Sequence, residues 1–240
     1  MSTKTVLLLL GIIVGTVGIS NASQITLDPS SLPSSQGWDY SPSGLHAGTV
    51  ETDIFSTDGS VLNMNSMGQP KNWLTGGSIL YRQSNVVSAA MPTILEWTSR
   101  TLEYEYVACA GQNFGSMAGF ASGIFQYGVG IRLDQISLID GAEQKYISMD
   151  TTEYHTYRIE TGEGASTYDF YIDNVLEASA SARSVTGANY LSFGDGTGGA
   201  NARVDITALE FSQIPEPATM GLIGIFAGGI IFFRRLYPAA

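Results

Sequence analysis

The chain has 240 residues, enough for one sizeable domain once the segments at its ends are set aside and too few for two. Charged residues make up only 14%, aromatic residues supply 10% and glycine occurs 28 times, a balance that suits short strands and tight turns rather than long polar helices. The formal net charge is −11, and the middle is more acidic still without Lys4, Arg234, Arg235 and Glu216 of the end segments; with no cluster of Lys and Arg to displace counterions, nucleic acid is excluded as a partner.

At the start, Lys4 stands ahead of an apolar run over residues 6–19, and Ser20-Asn21-Ala22 follows. This is the layout of a secretory signal peptide, with small residues where signal peptidase requires them, so residues 1–22 form the signal and cleavage is expected between Ala22 and Ser23. The apolar run falls short of the roughly 20 residues of a spanning helix, which favours removal over permanent anchoring. Signal peptidase and the export machinery are the first expected partners.

Between residues 23 and 213 no helical period is sustained over more than two turns. Alternating or β-branched runs punctuated by Gly, Asn and Asp predict strands at 78–83, 101–109, 119–127, 130–139, 144–149, 154–161, 168–172, 175–179, 189–193 and 202–211. So many closely spaced strands predict an all-β domain, an antiparallel two-sheet sandwich of jelly-roll type, and the lack of a fixed repeat argues against a solenoid. In 101–109, Leu102, Tyr104, Tyr106 and Ala108 fall on one face, predicted to pack, and Glu103 and Glu105 on the other. Asp173-Asn174 tolerates the positive φ of a two-residue turn and predicts a hairpin between 168–172 and 175–179.

Glycoside hydrolysis on such a scaffold needs two carboxylates about 5 Å or about 6.5–9.5 Å apart. Glu51-Thr52-Asp53-Ile54-Phe55-Ser56 fits the first two acids of the Glu-x-Asp-x-x-Glu pattern of jelly-roll glucanases, but Ser56 replaces the third. Glu103 and Glu105 lie roughly 7 Å apart by strand geometry, yet no apolar pocket is evident to raise one pKa, so they read as a solvated face. The histidines, His46 and His155, have no zinc-like spacing. Cys109 is the only cysteine, so no intramolecular disulfide forms, and it reads as a small buried apolar residue. No nucleophile elbow or phosphate-binding loop appears. No catalytic residue is assigned, and no cofactor is expected beyond calcium at one loop, where Asp195, Thr197 and Asn201 supply oxygen atoms among glycines. Trp38, Trp73, Trp97 and Tyr127 are the candidates for stacking on sugar rings.

Residues 153–211 resemble concanavalin A-like and laminin G-like sandwiches. The resemblance rests on Tyr154-His155-Thr156-Tyr157-Arg158-Ile159-Glu160, the run from Tyr168 to Leu176, Leu191-Ser192-Phe193-Gly194-Asp195, and the run from Val204 to Phe211. It implies a curved jelly roll whose concave face binds glycans in many relatives and nothing known in others.

The chain then reads Ile214-Pro215-Glu216-Pro217-Ala218-Thr219-Met220, an apolar stretch to Phe233, and Arg234-Arg235. The two prolines keep the backbone extended and open to a processing enzyme. As a helix, residues 218–233 reach roughly 24 Å against a hydrocarbon core of about 30 Å, so they just span, with the arginines snorkelling at the cytoplasmic face. Residues 214–240 resemble the PEP-CTERM sorting tails of Gram-negative bacteria, also labelled ice-binding-protein-like C-terminal domains; only the trailing Leu236-Tyr237-Pro238-Ala239-Ala240 departs from the pattern. The resemblance implies recognition of Pro215, Glu216 and Pro217 by an exosortase-type membrane protease, a cytoplasmic basic anchor at Arg234 and Arg235, removal of the transmembrane helix, and release or attachment at the cell surface.

The expected protein is therefore exported across the inner membrane, transiently membrane-anchored, and then at the cell surface or in extracellular matrix. Its sandwich, residues 23–213, is expected to be non-enzymatic and associated with exopolysaccharide. The rivals are a secreted glycan hydrolase or lyase using Glu103 and Glu105, and a structural matrix protein without a ligand.

Overall fold

A computed structural model describes residues 23–70, 77–107, 114–196 and 199–214. The chain forms β1 (Ser23–Leu27), β2 (Asp39–Pro42), the single-turn α1 (Glu51–Ile54), β3 (Phe55–Thr57), β4 (Leu62–Asn65), β5 (Ile79–Ser84) and β6 (Thr93–Tyr106). It continues through β7 (Ser116–Arg132), β8 (Gln135–Asp140), β9 (Glu143–Ser148), β10 (His155–Thr161), β11 (Thr167–Ile172), β12 (Val175–Ser181), β13 (Arg183–Asp195) and β14 (Ala200–Gln213). The strands build two antiparallel sheets packed as the expected sandwich. The eight-stranded sheet runs β12-β11-β10-β6-β14-β4-β3 with β1 beside β14, and the six-stranded sheet runs β2-β5-β13-β7-β8-β9.

β6 shows how the sequence makes a two-faced strand. Thr93, Leu95, Trp97, Ser99 and Thr101 are buried inward, while Ile94, Glu96, Thr98 and Arg100 alternate on the outside. Opposite the step from Arg203 to Val204 the register shifts, Leu102 takes the extra position, and Glu103 then faces Arg203 across the ladder. The packed face expected for Leu102, Tyr104 and Tyr106 is only half realised: the first two are half-buried, but Tyr106 is 55% exposed.

β7 does not run straight. The Gly115 N–H donates to Ile131 O at 3.2 Å, and a Cβ on Gly119 would overlap the Tyr127 carbonyl, so the two limbs lie side by side with Gly123, at φ +96°, where the chain doubles back. Residues eight apart on a straight strand would be roughly 26 Å apart. The strand expected at 119–127 is thus the bend of a hairpin. The turn expected at Asp173-Asn174 has φ of 49° and 67°, and Ile172 pairs with Val175 across it.

Aromatic rings fill the space between the sheets. Tyr81 meets Phe55 at 4.6 Å and Phe193 at 5.2 Å, and Phe120 stacks on Tyr127 at 4.7 Å. Beyond its area burial, each such ring pair contributes about 0.5–1.5 kcal/mol. One side of the sandwich is closed by Gly141 N–H to Ser181 O at 2.7 Å and Ser181 N–H to Asp140 Oδ1 at 2.8 Å. The two ends of the domain meet in one ladder, with Ser23 opposite Gln213. The Gln213 side chain is buried there, donating to Ser88 O and Thr93 Oγ1 at 2.8 Å each and accepting from Ser88 N–H at 2.8 Å.

Candidate functional site

The carboxylate pair of β6 lies on the outer face of the eight-stranded sheet, and both members are engaged. Glu103 accepts from Arg203 at 3.1 Å. Glu105 accepts from Asn201 Nδ2 at 3.0 Å and from the Gly68 N–H at 3.1 Å, and these bonds hold its carboxyl below the usual range. The surrounding face is laced in the same way. Arg100 donates twice to Asp205, at 2.9 and 2.8 Å, with its guanidinium 4.6 Å over the Tyr154 ring. Arg158 pairs with Glu160 at 2.9 Å and lies 4.4 Å over the Tyr171 ring. His155 Nδ1 meets Asp173 Oδ2 at 2.7 Å at the β11–β12 turn, a structural contact.

The glucanase-like segment sits on α1 and at the start of β3. Glu51 accepts from Ser34 Oγ at 2.6 Å, from the Ser34 N–H at 3.3 Å and from the Tyr81 hydroxyl, while Asp53 accepts the Val50 N–H at 3.3 Å. Burial, together with the charges of Asp53 and Glu51, pushes the Tyr40 phenol up to about 12. These acids anchor the loop before β3 to the core.

Three of the four expected sugar-stacking aromatics, Trp38, Trp97 and Tyr127, are corrected by burial. Trp38 and Trp97 are 3% exposed and Tyr127 2%. Trp38 packs edge-on against Phe193 at 5.0 Å, Trp97 lies 5.4 Å from Tyr157, and the Tyr127 hydroxyl donates to Ala165 O at 2.5 Å. All three rings are packed in the core, Trp97 and Tyr127 by strand parity and Trp38 from the segment just before β2. Asp195 and Asn201, expected around calcium, are both fully buried, and Asn201 directs its NH2 at Gln69 O and Glu105, turning a donor to the neighbours a cation would share. Among the described residues, no group of three or more His, Cys, Asp or Glu side chains converges on a metal position. Ala22, Trp73, Cys109, Thr197, Pro215, Glu216, Pro217, Arg234, Arg235 and the segment 218–233 lie outside the described residues. Within the described residues no helix is long and apolar enough to cross a membrane.

A cleft that the sequence did not reveal opens on the outer face of the six-stranded sheet. It has a volume of about 150 Å³ and is lined by Phe114, Arg132, Gln135, Ser137 and Tyr146. Ser137 stands between Gly130 and Tyr146 in the ladders. Gly130 leaves room for the Phe114 ring, which lies where its Cβ would be and forms a wall of the cleft. Ser137 is 7% exposed and its hydroxyl has no hydrogen-bond partner. The Arg132 Nε lies 2.8 Å from Asp134, the Tyr146 hydroxyl donates to Gln144 at 2.7 Å, and Tyr146 is 53% exposed. The one available signal was the alternation Gly128-Val129-Gly130-Ile131, which strips one face of the strand of side chains.

The sheet pairings define an antiparallel β-sandwich of jelly-roll type. Among solved structures, the chain is similar to a sialidase (8% identity, 65% of this chain and 16% of that chain, TM-score 0.46). It is also similar to a Bacillus licheniformis beta-glucanase (12%, 78% and 97%, 0.47) and to the PL7 alginate lyase AlyA1 from Zobellia galactanivorans (10%, 69% and 82%, 0.45). Likenesses this distant carry no argument about chemistry, and the fold rests on the pairings themselves. A comparison with curated proteins finds no match. Residues 213–235 match the family model of the PEP-CTERM protein-sorting motif. The chain carries that motif, which implies export and membrane or cell-surface sorting in Gram-negative bacteria, with processing by an exosortase.

Proposed function

We propose that the mature protein is a non-catalytic sandwich presented at the cell surface or in the extracellular matrix, where it associates with exopolysaccharide. The observation that carries the non-catalytic half is the state of the Glu103 and Glu105 carboxylates. A glycosidase acid must hold a proton near neutral pH, which requires a raised pKa. Glu105 is instead held low by two donors, and Glu103 is paired with Arg203. Glu51 is likewise bound by Ser34 and Tyr81.

The test is to incubate the full chain and its Glu103→Gln/Glu105→Gln variant with polysaccharides and measure new reducing ends and unsaturated products. No turnover by either protein, with binding retained by both, is the expected result. Product release by the native protein that the double variant loses would replace this reading with the hydrolase or lyase. For the delivery half, the intact mass of native protein from cell surface and medium should start at Ser23 and end near Pro215 to Pro217.

A further inference from the structure

The geometry points to the Ser137 cleft as the glycan-binding subsite, one that takes a single neutral sugar unit of a longer chain; this rests on the polysaccharide reading above. Three independent features converge there. The first is an unsatisfied hydroxyl: Ser137 Oγ is buried beside the cleft without a partner. Buried hydroxyls are ordinarily satisfied, because leaving one dry costs its full hydration, so an orphan facing a cleft marks a position where an incoming donor or acceptor is stabilised.

The second feature is a pair of rings flanking that hydroxyl. Tyr146 is its cross-strand neighbour and 53% exposed, and Phe114 lies over Gly130 on the other side. Rings so placed offer apolar faces to the C–H surface of a pyranose while hydroxyls reach Ser137 and the Gln135 amide. The volume of about 150 Å³ is below the roughly 300 Å³ at which pockets for drug-sized ligands begin, so the cleft fits one small ring and leaves the rest of a polymer outside.

The third feature is charge. Among the lining residues the cation is Arg132, and the Asp134 carboxylate lies 2.8 Å from its Nε as a counter-charge. The chain as a whole carries −11. A uronate would meet a compensated arginine within a negative field, whereas a neutral sugar pays no such penalty.

The test measures binding of the full chain to surfaces coated with dextran, laminarin or alginate, alongside Tyr146→Ala, Ser137→Val and, on the opposite sheet, Glu103→Gln. The native protein should bind a neutral polymer in preference to alginate. Tyr146→Ala and Ser137→Val should each weaken that binding by about ten-fold or more, and Glu103→Gln should stay within about two-fold. Thermal unfolding checks each variant; if Ser137→Val does not fold, the exposed Tyr146→Ala decides alone. Neutral-glycan binding that survives both cleft substitutions overturns this site and leaves the polysaccharide reading standing. Preference for alginate, lost with Tyr146→Ala, overturns the neutral class. No binding to any polymer by the native protein overturns the polysaccharide reading itself.

Discussion

The outer faces of the two sheets differ in what they leave undone. On the eight-stranded sheet, Arg203 holds Glu103, Arg100 holds Asp205, Arg158 holds Glu160, and Tyr154 and Tyr171 lie under two of the guanidinium groups. On the six-stranded sheet the strand β7 offers Gly128 and Gly130, with an unpartnered Ser137 beside them. The first face pairs its charged side chains with one another, although Asp205 Oδ1 and Asn201 Oδ1 stay without a hydrogen-bond partner; the second holds a cleft with an orphan hydroxyl in its wall. Under the proposed reading, the acidic residues of the first sheet mark a self-paired face, and the cleft of the second marks the binding face.

The largest way to break the contrast is from beneath. Trp97 lies under the charged face at 3% exposure against Tyr157, so Trp97→Ala should cost about 3–5 kcal/mol in urea unfolding. Under conditions where the variant remains folded, glycan binding should be unchanged, because the ring touches no ligand. Loss of binding in folded Trp97→Ala would return that residue to the stacking role its sequence suggested. A smaller effect comes from the cleft on the other face. Gly130→Ala drives a methyl into the Phe114 ring and should cost about 1–3 kcal/mol while displacing the Phe114 wall of the cleft. Wild-type binding in this variant would mean that the Phe114 wall is not part of the site.

Much of the sandwich was legible where the local rule is strong. Asp173-Asn174 shows its turn because few residue pairs accept two positive φ values in succession. The first half of β6 was missed because Ile94 faces outward while Thr93 and Ser99 face in, which blurs the alternation. The four strands before β5 are short, the shortest being Phe55–Thr57, and too brief for a period to register. The bend of β7 at Gly123 was hidden because apolar residues flank it on both sides and read as one strand. For the site, sequence separates neither a buried tryptophan from an exposed one nor Tyr127 from Tyr146; strand parity and the opposing sheet decide which ring sees solvent. The cleft depends on Gly130, Ser137 and Tyr146 meeting across two ladders, with Phe114 laid over them from another segment. No local pattern encodes that meeting.

The smallest effect distinguishes the faces by pH. Glu105 is held low by Asn201 and the Gly68 N–H, Asp150 by the side chain and N–H of Thr152, and Asp58 by the N–H groups of Ser60 and Val61. Asp28 is held low by Ser30, and Asp173, against the cost of its burial, by His155 and the Thr156 N–H. Glu105, Asp58 and Asp173 lie in the eight-stranded sheet or at its turns, Asp150 in the segment leading into β10, and Asp28 just after β1 on the connection to β2. A carboxyl whose folded pKa lies below its unfolded value binds protons more tightly when unfolded. Its stabilisation is therefore complete above the unfolded carboxylate range, about pH 4, and is lost as pH falls through the folded value. Hydrogen exchange between pH 6 and pH 3, corrected for the intrinsic rate, should show amides at the β3–β4 and β11–β12 turns losing protection before those of β7 and β13. Equal loss in both sheets would mean that the contrast between the faces does not extend to their response to acid.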